Sequence, residues 1–293
     1  MFVGAIERAV EFTRPIHTIV RYFGSTEVHP GAASLFFVND AGWALTCRHV
    51  AQQVIDADRL AERYQAFKAE RDAVTGKKRR QAERELARKH GFDSPQPVEV
   101  RNLFVNCVEG PLNLALTLHA TLDIALLKFS GFTELGCSAF PVFGRDGADL
   151  KQGKSLCRLG FPFPEFTNFA YDPATDSIGG VQQGRDQTPR FPIEGMVTRH
   201  LLGPNAAVVG FELSTPGLRG QSGGPVFDSE GRVWGMQSQT AHLDLAFDVD
   251  MEVVRDGRKR RVRDSAFLHV GHCVHVDVLK EFMREHGVGF LEG

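Results

Sequence analysis

The chain is a succession of short apolar segments separated by turn residues. The segments are rich in Val, Leu, Phe and Thr, with Gly, Pro, Asn and Asp between them. Many short segments at this spacing are typical of β-sandwiches and β-barrels, and twelve are too many for one small barrel. We therefore predict an all-β protein with two β-barrels. The segments are His17–Phe23, Ala33–Val38, Trp43–Cys47, Val98–Asn106, Leu112–His119, Ile124–Phe129, Ser155–Leu159, Gly195–Leu201, Val208–Leu213, Val226–Asp228, Val233–Ser238 and Phe267–His275.

Two segments depart from this β pattern. Residues 52–91 contain few β-branched residues, place apolar side chains on one helical stripe and are broken at Thr75-Gly76, which predicts an inserted helical hairpin. A solvated decoration and a functional attachment remain equally open for it, because charge-laced surface helices are common. Asp277–His286 has helical spacing and a following Gly287, which predicts a terminal helix with Asp277 as its N-cap.

Composition excludes several classes of protein. With 34 basic and 36 acidic residues and a net charge of -2, the chain lacks the excess of positive charge expected of a dedicated nucleic-acid binder. Its longest apolar runs, such as Ala33–Val38, are far shorter than the roughly 18 residues that span a bilayer. The basic stretch Lys77–Arg80 is interpreted as solvated charge, and Arg258–Arg263 as a surface turn between strands. We expect no nucleic-acid and no membrane partner.

The cysteines indicate a reducing compartment. There are five, an odd number without a short repeated spacing, whereas a secreted disulfide framework usually has an even, clustered set. Glu7 and Arg8 interrupt the position where a signal peptide would carry its apolar stretch. We expect a cytoplasmic protein.

The strongest chemical signal is the motif Gly-Gln-Ser-Gly-Gly-Pro at Gly220–Pro225. A serine in a tight glycine-rich turn is exposed, and the N–H groups of Gly220 and Ser222 can point at one spot to stabilise an oxyanion. A serine hydroxyl is a weak nucleophile, so this interpretation requires a general base and a group that orients the base.

Candidates for both partners lie upstream. His49 lies at the end of the apolar strand that contains Trp43–Cys47, and Asp123 directly precedes the segment Ile124–Phe129. Each residue alone has an ordinary structural explanation, but His, Asp and Ser in this order form one of the known catalytic triads. We therefore predict His49, Asp123 and Ser222 as catalytic residues, with Gly220 and Ser222 as the oxyanion hole.

These motifs resemble those of the chymotrypsin-fold serine peptidases, most closely the bacterial high-temperature-requirement and glutamyl-endopeptidase-like branches. The resemblance rests on Leu-Thr-Cys-Arg-His-Val, Asp-Ile-Ala-Leu-Leu-Lys, Gly160-Phe161-Pro162 and the serine motif. It implies two six-stranded antiparallel barrels, residues 1–145 (interrupted by 52–91) and 146–293, with the triad between them. It also implies endopeptidase activity on protein or peptide substrates without a cofactor or metal.

The departures from the family pattern bear on activation and specificity. Gln221 replaces the aspartate that captures a new N-terminus in animal digestive members, so we expect no activation by cleavage. Pro216 replaces the acidic residue of members that prefer basic P1 side chains, and Gln237 stands roughly where glutamate-preferring members carry a histidine, so we expect neither specificity here. We expect Pro216, Gln237, Ser238 and Thr240 to contact substrate, with a hydrophobic or small P1 residue. Roughly 50 residues follow Val233–Ser238, too few for the PDZ module of the high-temperature-requirement branch.

Several alternatives stay open. His269, His272, Cys273 and His275 crowd one predicted strand, where alternation puts His272 on the opposite face from the others; we expect satisfied polar positions there and no metal. Cys47 is expected to be a buried structural thiol. A catalytically silent or latent protein that acts as a scaffold is the alternative to an active peptidase. A regulatory protein that docks on residues 52–91 is the expected partner besides substrate.

Overall fold

The computed structural model describes residues 2–75, 79–92 and 95–293, and it confirms the two-barrel β architecture. Gly76, Lys77 and Lys78, which belong to the predicted helix break and basic stretch, lie outside the described residues. The first sheet is antiparallel. Its strands are β1 (Thr13–Tyr22), β2 (Val28–Phe37), β3 (Trp43–Thr46), β4 (Pro97–Phe104), β6 (Asn113–Leu118) and β7 (Ala125–Ser130), in the order β4-β1-β2-β3-β7-β6. The short strand β5 (Val108–Glu109) pairs separately with β8 (Glu134–Leu135).

The second sheet closes into a six-stranded barrel. Its strands are β10 (Ser155–Arg158), β13 (Ile193–Leu202), β14 (Val208–Leu213), β15 (Pro225–Phe227), β16 (Arg232–Arg255) and β17 (Arg258–His275). Their order is β15-β10-β13-β14-β17-β16, and the barrel closes because β15 pairs with both β10 and β16. Two short parallel strands, β9 (Val142–Phe143) and β18 (Leu291–Glu292), extend this sheet, and β11 (Phe169–Asp172) pairs with β12 (Ser177–Gly180) in a separate hairpin. The predicted division at residues 145 and 146 stays a prediction.

Two helices pack on the barrels. The helix α1 (Val3–Phe12) was missed by the sequence analysis, although Ala5, Ala9 and Phe12 recur at helical spacing and are buried. The terminal helix α4 (Val276–Glu285) confirms the prediction but begins one residue earlier. Its N-cap is His275 and not Asp277, because the His275 ring accepts a hydrogen bond from the Asp277 N–H.

The insertion is a helical hairpin of α2 (Arg48–Asp72) and α3 (Arg79–Lys89), as predicted. It has a small hydrophobic cluster of its own, in which Tyr64 and Phe67 pack with Phe92 and with Val98 of β4. Polar contacts tie α2 to the separate β11–β12 hairpin, since the Tyr64 hydroxyl donates to Asp176 at 3.0 Å. The hairpin is therefore packed on the protein, and the choice between a decoration and a functional attachment stays open.

The strands β16 and β17 continue beyond the barrel as a two-stranded ribbon. Their tip is the turn Asp256-Gly257, and Arg258–Arg263 lies within β17. The interpretation of Arg258–Arg263 as a turn was wrong, because cross-strand ion pairs such as Arg261 with Asp250 hold this basic run in the ribbon. Within the part of the chain that the structure describes, no helix combines the length and the apolar run that crossing a bilayer requires.

Candidate active site

His49 and Asp123 are in direct contact. The Nδ1 atom of His49 lies 2.9 Å from Asp123 Oδ2 and 3.0 Å from Oδ1. His49 does not end the strand, as the sequence suggested, but lies in the first turn of α2. The helix begins immediately after Cys47, so the chain changes direction at this point and His49 lies next to Asp123.

The Asp123 carboxylate also caps the N-terminus of α2. The helix N-cap Cys47 makes no side-chain capping bond, and the backbone N–H of His49 donates instead to Asp123 Oδ1 at 3.0 Å. A carboxylate at a helix N-terminus satisfies an otherwise unpaired N–H group and interacts favourably with the helix dipole. One carboxylate thus positions both the backbone and the ring of His49.

The environment of Asp123 keeps it ionised. Burial alone would raise its pKa, but hydrogen bonds from the His49 ring, the Ser238 hydroxyl and the His49 N–H hold the pKa at about 2. When the ionised carboxylate accepts the hydrogen bond from the Nδ1–H group, Nε2 carries no hydrogen and is free to accept a proton. This is the tautomer that a general base requires.

A second histidine shapes the loop that presents Asp123. The Nδ1 atom of His119 accepts hydrogen bonds from the N–H groups of Thr121 at 3.1 Å and Leu122 at 2.9 Å. A ring nitrogen that accepts two backbone bonds holds the turn directly before the carboxylate. The sequence analysis did not identify His119; its position four residues before Asp123 was the available signal.

The serine turn depends on two glycines. Gly220 and Gly223 have positive φ values of 98° and 86°, which glycine adopts without strain. A Cβ on Gly220 would lie 2.3 Å from the Phe161 carbonyl oxygen, and one on Gly223 2.1 Å from that of Ser34. Ser34 of β2 holds the turn from the first barrel, because its hydroxyl donates to the Gly220 carbonyl at 2.7 Å.

The two predicted oxyanion donors are available. Among the described residues, neither the N–H of Gly220 nor that of Ser222 has a hydrogen-bond acceptor, whereas the N–H groups of Gln221, Gly223 and Gly224 are all engaged in backbone bonds. Two unpaired N–H groups that flank a single residue, here Gln221, can donate hydrogen bonds to one anionic oxygen.

Ser238 links the serine to the carboxylate. The Ser222 hydroxyl donates to the Ser238 carbonyl at 3.0 Å, and the Ser238 hydroxyl donates to Asp123 Oδ2 at 2.5 Å. No hydrogen bond joins Ser222 Oγ to His49 among the residues described. The structure therefore joins His49 with Asp123 directly and Ser222 with Asp123 through Ser238, a connecting role that the sequence analysis did not assign to this residue.

Gln221 stabilises the serine turn by neutral hydrogen bonds. Its side chain is fully buried, accepts from the Leu218 N–H at 3.0 Å and donates to the Phe191 carbonyl at 2.9 Å. These two bonds hold the turn without an ion pair at this position.

A cavity of ≈ 370 Å³ opens beside Ser222. Its lining includes all four residues predicted to contact substrate: Pro216, Gln237, Ser238 and Thr240. The Thr240 hydroxyl donates to the Gly217 carbonyl at 2.6 Å and so closes one wall. A larger cavity of ≈ 610 Å³ lies between the helical hairpin and β1 and contains none of the triad residues.

The histidines of β17 do not converge. His269 is exposed and contacts His242 of β16, with 2.5 Å between their Nδ1 atoms, whereas Cys273 and His275 are buried. The described residues contain one group whose geometry could hold a metal: Cys47, His49 and Asp123. The Cys47 thiol is buried, which raises its pKa well above the ordinary value and keeps it protonated, and it donates to the Gln237 carbonyl at 3.2 Å.

Comparison with known proteins identifies the family. A family profile described as "Trypsin-like peptidase domain" matches residues 33–236, which is more than half of the chain and includes His49, Asp123 and Ser222. No curated protein matches the chain significantly. The matched region contains strands of both barrels, the hairpin and the serine turn, and on this evidence the chain belongs to the trypsin-like peptidase family.

Proposed function

We propose that this protein is a serine endopeptidase that cleaves peptide bonds through an acyl-enzyme intermediate. Ser222 attacks the scissile carbonyl, His49 accepts the hydroxyl proton and later gives it to the leaving amine, and Asp123 orients the imidazole. The N–H groups of Gly220 and Ser222 stabilise the oxyanion. The observation that carries the proposal is the contact of His49 Nδ1 with both oxygens of the Asp123 carboxylate.

Labelling with a fluorophosphonate probe tests this proposal, because the probe reacts only with an activated serine. The wild-type protein should be labelled, and Ser222→Ala or His49→Ala should lose labelling and about 10⁴ to 10⁶ of turnover, since triad members act as a unit. Ser229→Ala removes an exposed serine two residues after β15 and is the matched control. Undiminished proteolysis by purified Ser222→Ala would refute the assignment.

A latent peptidase or a silent scaffold is the second candidate function. It is favoured by the hydroxyl of Ser222, which donates to the Ser238 carbonyl and not to His49. Catalytic hydrogen bonds in substrate-free enzymes are often formed only in the complex, so this geometry is compatible with activity. A folded wild-type protein that resists the probe would favour the latent or scaffold function.

We further propose that the helical hairpin binds a regulatory protein. His49 lies in the first turn of α2, so a displacement of this helix would move the catalytic imidazole. Deletion of the hairpin would expose Val98 and other members of its hydrophobic cluster, and charge reversal on the outer face is therefore the cleaner test. Arg59→Glu with Glu62→Lys should change cleavage of protein substrates or partner dependence while short-peptide cleavage is kept. An unchanged protein-cleavage profile would argue against this surface.

We also propose a cytoplasmic location and a relationship to the bacterial branches named above. The location is supported by the five cysteines, which are all unpaired. Fractionation of the producing cells tests it directly, and recovery of the protein outside the cytoplasm would contradict it.

A further inference from the structure

A buried thiol lies against the pair of His49 and Asp123. Cys47 directly precedes α2, and its exposed fraction is 0%. Its Sγ atom, a ring nitrogen of His49 and a carboxylate oxygen of Asp123 all lie within 4.8 Å of one another. No other set of three or more His, Cys, Asp or Glu side chains among the described residues converges in this way. The proposed peptidase chemistry uses the imidazole and the carboxylate and leaves the thiol without a role.

The start of α2 holds the three groups in place. Cys47 is the extended N-cap residue, with φ -72° and ψ 147°, and His49 lies in the first turn of the helix. The Asp123 carboxylate accepts from the backbone N–H of His49 at 3.0 Å and contacts its ring at 2.9 Å. The three groups therefore converge at one helix terminus, whose position the fold itself fixes.

Thiolate, imidazole and carboxylate are the protein donors that bind zinc. Bonds of about 2.3 Å to sulfur and about 2.0 to 2.2 Å to nitrogen and oxygen, at tetrahedral angles, place neighbouring donor atoms about 3.4 to 3.6 Å apart. His49 Nδ1 and Asp123 Oδ2 are 2.9 Å apart, so they must separate by about 0.5 Å to admit an ion. The His49 side chain is 54% exposed and that of Asp123 is 30% exposed, which leaves room for this shift and a path from solvent.

The thiol is available as the third ligand. It donates to the Gln237 carbonyl at 3.2 Å, and this bond costs little to give up because a thiol is a weak donor. Although the free thiol of Cys47 is protonated, a thiol that coordinates a divalent cation is deprotonated outright. The sulfur then supplies a negative charge beside the Asp123 carboxylate, and the cation neutralises both.

Coordination at Nδ1 is incompatible with catalysis. A metal takes a lone pair of the neutral imidazole, so the ring proton must move from Nδ1 to Nε2. Nε2 of His49 then carries a hydrogen and cannot accept the proton of the Ser222 hydroxyl. The thiol proton passes to water, so one cation is bound and one proton is released. Metal binding and general-base catalysis by His49 therefore exclude each other.

We propose that Cys47, His49 and Asp123 form an inhibitory site for Zn²⁺, which switches the peptidase off reversibly by holding a proton on Nε2 of His49. The inference rests on the proposed function, because it concerns regulation of the same catalytic residues. The ion is an inhibitor and not a cofactor, so the metal-free chemistry proposed above is unchanged.

Absorption spectroscopy with Co²⁺ tests the site without any measurement of activity. Co²⁺ replaces Zn²⁺ in such sites and, when a thiolate binds it, gives a sulfur-to-metal charge-transfer band in the near ultraviolet. We expect this band when stoichiometric Co²⁺ is added to the metal-free wild-type protein, and Cys47→Ser should lack it. Cys137→Ser, which removes a more accessible thiol, is the matched control and should keep the band.

The rate of fluorophosphonate labelling then measures inhibition. Zn²⁺ should suppress labelling of the wild-type protein, and a chelator should restore it. Loss of a residue that only supports a ligand lowers metal affinity by about 10- to 100-fold. Loss of the thiol ligand itself in Cys47→Ser should therefore raise the Zn²⁺ concentration for half-inhibition by at least about 100-fold. Each rate is divided by the metal-free rate of the same variant, so differences in basal activity or in folded fraction cancel.

The two proposals fail differently. A chelated wild-type protein that is labelled at Ser222, but shows no charge-transfer band or keeps its labelling rate at millimolar Zn²⁺, overturns the inhibitory site and leaves the peptidase assignment intact. Equal inhibition of the wild-type protein and Cys47→Ser also overturns it, because the ion then binds without the thiol. A chelated wild-type protein that is never labelled overturns the proposed function, and the inhibition with it, whether or not Co²⁺ binds.

Discussion

Replacement of Ser238 by alanine tests how the site holds its carboxylate. The Ser238 hydroxyl donates to Asp123 Oδ2 at 2.5 Å, and its carbonyl accepts from Ser222. Ser238→Ala removes only the hydroxyl, because the backbone carbonyl remains. The substitution therefore leaves Asp123 with its two bonds from His49 and leaves the serine contact in place.

The expected loss follows from the geometry. A hydrogen bond to a charged group contributes about 1.5 to 3 kcal/mol, which corresponds to about 10- to 150-fold in rate if it is fully expressed in the transition state. The Asp123 side chain is 30% exposed, so water can replace part of the bond. We expect a loss near tenfold, far below that of Ser222→Ala.

The assay is the second-order rate constant of fluorophosphonate labelling. Without the Ser238 donor the pKa of Asp123 should rise from about 2 toward its ordinary value of 3.8, so the carboxylate stays ionised at neutral pH. The loss should therefore be constant above about pH 6. Ser238→Thr keeps the hydroxyl and should retain most of the rate. Ser155→Ala, which removes an exposed hydroxyl bonded to Glu194, should have no effect. Wild-type labelling by Ser238→Ala would refute the reasoning.

Two predictions concern stability. Burial lowers the pKa of His17 from 6.5 to about 4, so the unfolded chain takes up this proton first as the pH falls. Stability should be unaffected by this group above pH 6.5 and should decrease by about 3 kcal/mol down to pH 4. Urea unfolding at several pH values measures this decrease in the free energy of unfolding. His17→Gln should lack the decrease, whereas His29→Gln, which replaces a half-exposed histidine, should keep it. If both variants lose stability equally as the pH falls, burial of His17 is not the cause. Gly271→Ala should lower stability by about 1 to 3 kcal/mol, because its Cβ would lie 2.1 Å from Arg158. Gly289→Ala, where nothing lies within 4 Å, should be neutral in thermal unfolding, and equal melting temperatures for the two variants would refute the clash.

Local sequence signals predicted the regular elements well. The twelve segments correspond to the barrel strands because alternating apolar residues are buried wherever such a strand forms. The stripe that contains Ala57, Tyr64 and Phe67 predicted α2 correctly, because all three side chains are buried. Tyr64 and Phe67 pack with Val98 of the first sheet. Short strands such as β9 and β18 were missed, since two residues carry no periodicity.

The sequence by itself determined the two barrels, the inserted hairpin and the identity of the candidate triad, because strand periodicity and the serine motif are local patterns. Only the tertiary structure decided that Asp123 caps the helix that carries His49 and that Ser238 bridges Asp123 to Ser222. It also decided that the fully buried Arg158 donates to Gln237, which lines the cavity beside Ser222. The contacts of Asp123 with His49 and Ser238, and of Arg158 with Gln237, join residues that are 74 to 115 positions apart. Strand register and loop packing decide which side chains meet over such separations, and local sequence patterns do not contain that information.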